Sequence, residues 1–432
     1  MDFNIPLKQH IGSLSKVIVK ENSTVKRGQL IAEADGLGAN IHTGVSGKVK
    51  KITETAVIIE SNQEEEKDNF LKLNKSDDHL KMIKEAGIVG AGGAGFPTHV
   101  KLDCELNNGF VIANCVECEP ILNHNISLIE KDPTSIIRGI KYVMGITGAE
   151  EAYIAIKAKN KKAVKALEEE ILVEDNIKIK KLRDIYPMGE ERAIIKEIFG
   201  KWLDPDQLPL EANSVVLNTE TIFNITEAVE KRKPVIDKDI TIAGKLNGGE
   251  RRIVKLRVPI GTPIKSLIEK EGGIKGEYGE LIIGGPYTGK AVSLQEAVLT
   301  KVDGGALITL PFPEYTGSLG LLVCACGADE TRLQDIAKKM GAEVVGVEQC
   351  KNVVENNGNL KCETPGECPG QVEKIMKLKK AGAERVLIAN CSDCSNTVMC
   401  CAPKLGIPVY HHTDHVFRTL NYPLTRRLKL EA

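Results

Sequence analysis

Cysteine is concentrated in the last quarter of this chain, and that concentration limits what the region can be. Nine of the 12 cysteines lie between residues 324 and 401 of the 432-residue sequence, and the others are Cys104, Cys115 and Cys118. The first six residues have neither a basic nor an apolar segment, so we expect no export signal. Crowded cysteines in such a chain indicate metal or redox chemistry rather than structural disulfides.

The cysteine-rich region is expected to fold around a small parallel sheet. Residues 320–432 alternate four short apolar runs, the first at 321–323, with amphipathic helical patterns. Strands joined by helical crossovers pair in parallel, and the residues that follow them meet at the carboxyl edge of the sheet, where ligands bind. The residues that follow the four runs are Cys324, Cys326, Cys350, Cys391, His411 and His412.

Four thiols of this region are the redox candidates. Cys326 and Cys394 precede predicted helices, whose N-terminal ends lower the pKa of a thiol. Three uses of the cysteines remain open: a thiol electron relay, a sulfur-ligated iron–sulfur or zinc site, and inert buried thiols. His411, His412 and His415 are a candidate metal or proton-transfer cluster, although His415 also fits a solvated helix flank. The four candidate thiols are Cys324, Cys326, Cys391 and Cys394.

Composition argues against two classes of function. The 58 Lys and Arg against 59 Asp and Glu give a net charge of −1, so the chain lacks the basic excess that nucleic-acid phosphates attract. No apolar run reaches the roughly 18 residues of a membrane-spanning helix, so only peripheral membrane association is open. We therefore expect a cytoplasmic protein without a nucleic-acid partner.

The expected fold is a multidomain α/β protein with β modules. Residues 1–61 carry short strands that resemble the barrel-sandwich hybrid of lipoyl domains, but their turn at 36–40 lacks a modifiable lysine. A polar linker at 62–78, with a charged run at 64–68, follows. The remaining expected units are an α/β cofactor-binding domain at 79–236, an SLBB-like β-grasp module at 237–300, a connection at 301–319 and the Cys-rich α/β domain at 320–432.

A glycine-rich segment, G-A-G-G-A-G-F-P-T-H-V-K at 90–101, lies near the start of the cofactor-binding domain. Such loops expose backbone N–H groups to phosphate, and Lys101 adds a positive charge. Glycine spacing alone is also explained by a tight turn, so the full string is the specific signal.

This string resembles the GxGGAGFPTxxK signature shared by the RnfC subunit of Rnf electron-transport complexes and the NADH-binding flavoprotein subunit of complex I. Three further stretches resemble the same family in the same order. They are N-C-V-E-C-E-P at 114–120, Y-P-M-G-E-E-R at 186–192 and N-T-E-T at 218–221. RnfC also places a barrel and a β-grasp module on either side of this domain.

The resemblance implies FMN and NAD(H) as cofactors, with hydride transfer between them. It implies that the glycines and Lys101 hold phosphate. Asn114, Glu117 and Glu119 are then expected to bond the flavin or its ribityl chain. Glu190 and Glu191 are expected to face the nicotinamide, and Asn218 and Thr221 to close the pocket. Cys118 is expected in this pocket, and Cys115 receives no role. The glycines are Gly90, Gly92, Gly93 and Gly95.

The tail departs from RnfC, because neither ferredoxin-type C-x-x-C-x-x-C-x-x-x-C-P run is present. An RnfC-like body with a thiol-rich tail resembles the electron-transfer proteins associated with D-proline reductase in amino-acid-fermenting anaerobes, in which one thiol position can be selenocysteine. We therefore expect electrons to pass from NADH through FMN and the C-terminal thiols, or a metal cluster on them, to a partner reductase such as D-proline reductase. Two alternatives are a non-catalytic scaffold with structural zinc and a component of a membrane Rnf-type complex.

Overall fold

The computed structural model describes residues 1–62, 68–356 and 358–424. Most of the charged run expected in the linker lies outside the described residues, as do the last eight residues of the tail. None of the helices in the described ranges has both the length and the apolar character needed to cross a membrane.

The N-terminal residues form two small antiparallel sheets that enclose Ile5, Ile31, Val49 and Ile59. In chain order the strands are β1 (Asp2–Pro6), β2 (Lys16–Val17), β3 (Thr24–Val25), β4 (Leu30–Glu33), β5 (Ile41–His42), β6 (Gly47–Ile52) and β7 (Ala56–Glu60). One sheet has the order β1-β7-β6-β3 and the other β2-β4-β5. Alternating burial along β1 places one face of that strand in the core.

The next unit is a parallel four-stranded sheet with helices. Its elements are α1 (His79–Glu85), α2 (Thr98–Leu102), β8 (Phe110–Asn114), α3 (His124–Lys131), α4 (Pro133–Thr147), β9 (Glu151–Lys157), α5 (Lys161–Glu170), β10 (Ile177–Leu182), α6 (Glu191–Phe199), β11 (Ser214–Asn218) and α7 (Thr219–Thr226). The strand order is β10-β9-β8-β11, and every pairing is parallel. Helix α3 ends at Lys131, and Asp132 caps a new helix at Pro133, because proline fits the first helical turn.

A mixed five-stranded sheet follows, built from β12 (Asp237–Gly244), β13 (Arg252–Pro259), α8 (Ile264–Lys270), β14 (Leu281–Ile283), β15 (Lys290–Val292) and β16 (Gly305–Ile308). Its order is β13-β12-β16-β14-β15. The connection expected at 301–319 therefore contains a buried strand, β16, which pairs in parallel with β12. Just before α8, the Thr262 hydroxyl donates to the carbonyl oxygen of Pro259 at 2.6 Å.

The cysteine-rich unit contains β17 (Ser318–Val323), α9 (Glu330–Met340), β18 (Glu343–Gln349), β19 (Val353–Asn356), β20 (Asn359–Cys362), α10 (Val372–Lys380), β21 (Arg385–Ile388), α11 (Ser392–Cys401), β22 (Val409–His411) and α12 (Asp414–Thr419). The main sheet has the order β18-β17-β21-β22, with parallel pairs throughout. The hairpin β19–β20 stands apart from it. Three short helical turns complete the described structure, at Pro209–Ala212, Glu227–Lys231 and Pro403–Leu405.

Buried ion pairs join the N-terminal unit to the mixed sheet. Arg27 of the N-terminal unit pairs with Asp237 of β12 at 2.7 Å, and both side chains are almost fully buried. Lys233 pairs with the same carboxylate at 2.7 Å. Because an unpaired buried charge is costly, this arrangement fixes the N-terminal unit against the mixed sheet.

Candidate functional site

A cavity of about 360 Å³ lies where the parallel α/β unit, the mixed sheet and the cysteine-rich unit meet. This volume is within the roughly 300–1,000 Å³ of small-molecule sites. The α/β unit contributes Gly92, Glu119 and Glu190, and the cysteine-rich unit contributes Cys326 and Cys362. The flavin-family motifs and two C-terminal thiols therefore share one cavity.

The glycine-rich loop forms one wall of this cavity. Gly92 lines it, and a β-carbon at that position would lie 3.1 Å from Nδ2 of Asn218, which caps α7. The Ala91 N–H donates to Oγ1 of Thr221 at 2.9 Å, so α7 holds the loop in place. Lys101 does not line the cavity, because its ammonium pairs with Glu191 at 2.7 Å.

The carboxylates of the 114–120 stretch have different surroundings. Glu119 lines the cavity and accepts hydrogen bonds from the backbone N–H groups of Tyr287 and Thr288, each at 2.9 Å. Glu117 lies away from the cavity wall and accepts from Nδ2 of Asn125 at 3.2 Å. Burial raises the pKa of Glu119, and it raises the pKa of Glu117 to about 7. The Asn114 amide donates to the carbonyl oxygen of Gly189 at 3.0 Å and supports the loop from behind.

The two cysteines of this stretch do not form a pair. Cys115 is fully buried in the core of the α/β unit, whereas Cys118 lines the cavity and its sulfur accepts the Gly189 N–H at 3.3 Å. Burial raises the pKa of each thiol to about 12. Both are therefore neutral thiols in this environment.

Helix α6 connects the motif at 186–192 to the cysteine-rich unit. Glu190 caps this helix by accepting the Ala193 N–H at 2.9 Å. Arg192 lines the cavity, and its Nη2 donates to the carbonyl oxygen of Cys362 at 2.6 Å. Its Nη1 is buried without a hydrogen-bond partner among the described residues. An anionic ligand group such as a phosphate would satisfy this donor, so the wall fits a phosphorylated cofactor.

Two stacked tyrosines form the junction of the three units. The rings of Tyr186 and Tyr287 are 3.6 Å apart and nearly parallel. The Tyr186 hydroxyl donates to the carbonyl oxygen of Cys326 at 2.5 Å. The Tyr186 N–H donates to Oγ of Ser392, beside Cys391, at 3.0 Å. The motif therefore fixes the position of the thiol-bearing loops directly.

Five buried thiols form a closed network at the carboxyl edge of the C-terminal sheet, which we call the thiol ring. The sulfur of Cys326 interacts with those of both Cys324 and Cys391. Cys350 contacts Cys324 and Cys394, and Cys391 contacts Cys394, which closes the ring. Two further thiols extend it: Cys362 contacts Cys326, and Cys368 contacts Cys394. The ring members are Cys324, Cys326, Cys350, Cys391 and Cys394.

Contacts between neighbouring sulfurs shift the pKa values of the ring thiols in opposite directions. Interaction with Cys324 and Cys394 lowers the pKa of Cys350 to about 3, and interaction with Cys326 and Cys394 lowers the pKa of Cys391. Interaction with the neighbouring sulfurs, together with burial, raises the pKa of Cys326 and Cys394. A network of this kind titrates as a unit.

Gln371 inserts its side chain among three of these thiols. It is fully buried, and its Nε2 donates to the sulfur of Cys350 at 3.0 Å. The same nitrogen lies 3.7 Å from the sulfur of Cys394 and 3.9 Å from that of Cys368. The amide thus occupies the space between the three sulfurs. Across the described residues, no group of three or more His, Cys, Asp or Glu side chains is placed to hold a metal ion.

Two sequence expectations about the tail need correction. Cys394 does not precede α11 but lies in its first turn, and Cys391 is the N-cap residue. The three tail histidines do not form one cluster: the rings of His411 and His412 lie 4.6 Å apart and bond the carbonyl oxygens of Asn390 and Tyr287, whereas His415 bonds Glu280 at 2.8 Å. His415 is buried against that carboxylate, so a solvated flank is wrong.

The candidate residues therefore separate into three groups. The cavity wall contains Gly92, Glu119, Glu190 and Cys326. The thiol ring beyond it contains Cys324, Cys391 and Cys394. The remaining candidates lie outside the wall and include residues that support it: Gly90, Gly93, Gly95, Lys101, Asn114, Glu117, Glu191, Asn218 and Thr221.

Sequence reasoning did not identify several side chains of the site. Arg192 lies in a family motif, but the resemblance implies a role only for its neighbours Glu190 and Glu191. Cys362, Cys368 and Gln371 lie in or after a hairpin that the sequence pattern does not predict. Tyr287 follows the sequence G-G-P at 284–286, a turn signal that indicates a loop but no partner.

Comparison with known proteins adds to this geometry. Residues 83–227 match the family model of the Nuo51 FMN-binding domain, and residues 1–66 match that of the RnfC barrel sandwich hybrid domain. The FMN-binding domain match supports FMN as a cofactor of this chain.

Relatives with known names match over different lengths. The RnfC-type component of the proton-translocating ferredoxin:NAD(+) oxidoreductase complex of Clostridium ljungdahlii is 33% identical over 70% of this chain and 69% of that protein. Its counterpart in the Na(+)-translocating complex of Acetobacterium woodii is 32% identical over 70% of this chain and 72% of that protein. The cobalamin reductase PduS of Salmonella typhimurium is 36% identical over 56% of this chain, and the match spans only about half, 52%, of that reductase.

Proposed function

Because the chain belongs to the RnfC family, which includes components of ferredoxin:NAD(+) oxidoreductase complexes, we propose that it is an FMN-binding electron-transfer protein. In this proposal NADH is the electron donor, the C-terminal thiols receive the electrons after FMN, and a partner reductase receives them from the thiols. The observation that carries the proposal is the shared cavity, since Cys326 and Cys362 line the same space as Gly92, Glu119 and Glu190.

We propose which residues hold FMN from their positions in the cavity. Gly92 leaves room for close backbone approach, and the unpartnered Nη1 of Arg192 suits a phosphate oxygen. Glu119 and Glu190 suit the hydroxyl groups of a ribityl or ribose chain. When bound, FMN supplies hydride acceptance from the nicotinamide and storage of two electrons.

The other family-motif residues act one layer behind this wall in our proposal. Asn218 and Thr221 set the glycine-rich loop, and Asn114 sets the Gly189 backbone. Lys101 and Glu191 neutralise each other beside the loop. Tyr186 fixes the backbone of Cys326, so the distance between the cofactor and the thiols is set by the protein rather than by a mobile arm.

We further propose D-proline reductase as the partner, on the resemblance of the thiol-rich tail. The test is anaerobic reduction of D-proline by NADH with both purified proteins, against each protein alone. NADH-dependent turnover only in the mixture supports this partner, and no turnover with an active reductase rejects it.

The proposal is tested by FMN binding and by NADH-dependent bleaching of the bound flavin. Gly92→Val places a branched side chain at the cavity wall beside Asn218, so we expect FMN affinity to fall by more than about tenfold. Gly145→Ala is the matched control, because a β-carbon there meets open space outside the site. Failure of the wild-type protein to bind FMN, or equal binding by the Gly92→Val variant, would reject the proposal.

A further inference from the structure

The thiol network has two different ends. Cys362 extends the thiol ring toward the cavity and lines its wall. Cys368 extends the ring from Cys394 and does not line the cavity. All five ring cysteines are buried, whereas Cys368 is only partly buried. The network therefore connects the cavity to a thiol with access to solvent.

The surroundings of Cys368 are built around its sulfur. Its Sγ accepts the Gly370 N–H at 3.3 Å and lies 2.8 Å from Oγ1 of Thr397 on α11. The Cys368 N–H donates to the carboxylate of Asp393 at 2.8 Å, which holds the loop onto the same helix. The fully buried Gln371 lies between Cys368 and the ring, and its Oε1 has no hydrogen-bond partner among the described residues.

We propose that Cys368 is the thiol at which this protein exchanges electrons with a disulfide of a partner protein, and that Cys394 behind it is the resolving thiol. The inference deepens the proposed function, on which it rests for the source of the electrons. It implies that the partner carries an accessible disulfide, and that electrons move through the thiol network from Cys362 to Cys368.

The exchange balances in two steps. The Cys368 thiolate attacks one sulfur of the partner disulfide; that S–S bond breaks, a mixed disulfide forms, and the departing partner thiolate takes up the proton that Cys368 released. The Cys394 sulfur then attacks Cys368, releases the second partner thiolate and gives up its own proton to it. The partner gains two electrons and two protons, and Cys368 and Cys394 are left as a disulfide.

Restoring the dithiol uses the remaining ring members. Attack by the Cys350 or Cys391 thiolate on Cys394 releases Cys368 and moves the disulfide one position inward. Repeated exchange brings it to Cys326 and Cys362 at the cavity wall, where the electron donor of the proposed function reduces it. Every exchange conserves the number of S–S bonds, so the only reductant needed is the electron donor at the cavity, which supplies two electrons for each disulfide.

The acidity of Cys368 agrees with its role as the attacking thiol. Donation from Cys394, then from Thr397 and the Gly370 N–H, lowers the pKa of Cys368 to about 7 against the opposing effect of burial. A thiol whose pKa is near ambient pH is the most effective attacking group in exchange. Cys400 is the natural comparison, because it is more exposed than Cys368 and lies on the same helix as Cys394.

The test is reaction of the fully reduced, full-length protein with a small excess of the disulfide reagent DTNB at about pH 7, followed by peptide mapping. We expect Cys368 to react roughly tenfold faster than Cys400 despite its lower exposure. Because Cys394 resolves the adduct, we expect release of two thionitrobenzoate groups and a Cys368–Cys394 disulfide in the mapped peptides.

Two variants and a control make the result decisive. Cys394→Ser should retain the fast reaction but trap one thionitrobenzoate on Cys368, whereas Cys368→Ser should lose the fast phase and Cys400→Ser should keep it. A fast phase that maps to Cys400, or release of one group without a Cys368–Cys394 disulfide, would overturn the proposal. No FMN or NADH is present, so failure here leaves the proposed flavin chemistry standing, and failure to bind FMN leaves this result standing.

Discussion

The Tyr186 hydroxyl donates to the carbonyl oxygen of Cys326 at 2.5 Å, which places a residue of a flavin-family motif in direct contact with the backbone of a ring thiol. The same tyrosine stacks on Tyr287 of the mixed sheet unit. Three units of the chain therefore meet at one aromatic ring, and the geometry of the shared cavity depends on it.

Tyr186→Phe should keep the stack but leave the Cys326 carbonyl oxygen without this donor. We expect a loss of about 1–2 kcal/mol in the free energy of unfolding, the usual cost of an unsatisfied buried acceptor. Backbone hydrogen exchange at residues 324–328 should also become faster. Urea denaturation and exchange mass spectrometry measure the two effects. Tyr315→Phe is the control, because its hydroxyl bonds Glu384 at an exposed position; equal effects of both variants would contradict the assigned role.

Glu117 should make folding stability depend on pH. Burial raises its pKa to about 7 in the folded protein from an ordinary value of 4.5. Between these pH values the folded state holds a proton that the unfolded state has released, so this contribution to stability falls as pH rises from about 4.5 to about 7. Glu117→Gln removes the ionisation, and we expect the variant to gain up to about 3 kcal/mol relative to wild type between about pH 4.5 and pH 8.

The measurement for Glu117 is urea denaturation of both proteins at about pH 5 and about pH 8. Comparing the two at each pH cancels the titration of other groups. A constant difference between the proteins across this range would show that the folded Glu117 has an ordinary pKa.

The Arg27–Asp237 pair should be a main attachment of the N-terminal unit. Arg27→Met removes one partner of a buried ion pair, and we expect a loss of about 3 kcal/mol, with Lys233 limiting the cost by still pairing with Asp237. Lys50→Met is the control, since the Lys50–Asp2 pair is exposed and should contribute little. Thermal or urea unfolding distinguishes the two, and similar losses would contradict the account.

Cys394 should set the acidity of Cys368. Because donation from Cys394 is the largest effect that lowers the pKa of Cys368, Cys394→Ala should move that pKa upward from about 7. The pH dependence of Cys368 alkylation by iodoacetamide, read by peptide mass spectrometry, gives the midpoint directly. Cys401→Ala is a suitable control, because Cys401 donates to the carbonyl oxygen of Val398 and not to Cys368. An unchanged midpoint in Cys394→Ala would exclude the hydrogen bond as the cause.

The sequence predicts those features of the fold and the site that depend on residues close together in the chain. Alternating apolar runs and helices indicate parallel sheets in two units, and the strands of those units pair in parallel. The family motifs suggest twelve cofactor-binding residues, and three of them, Gly92, Glu119 and Glu190, line the cavity. Short strands are harder to predict from sequence. Strand β16 spans only four residues, and the two prolines that follow it are typical of a linker.

The remaining parts of the site depend on tertiary contact. Cys362 and Cys368 reach the thiol ring from a hairpin and its following loop, and no spacing in the sequence distinguishes them from Cys400 or Cys401. No sequence pattern predicts the position of Gln371, because its buried amide contacts the sulfurs of residues that lie 21 and 23 positions away in the chain. Lys101 was expected at phosphate, but its proximity to Glu191 arises only from the tertiary fold, which brings α2 and α6 near each other.

The most direct test of the central claim is an anaerobic titration of the FMN-reconstituted protein with NADH, in which absorbance reports the flavin and the electrons taken up are counted. We expect the flavin to bleach and the protein to take up more than the two electrons that the flavin itself accepts. The number of free thiols should increase as the additional electrons are taken up, and no iron–sulfur absorbance should appear. Bleaching that stops at two electrons, with the oxidised thiols left unreduced, would contradict transfer from the cavity to the thiol ring.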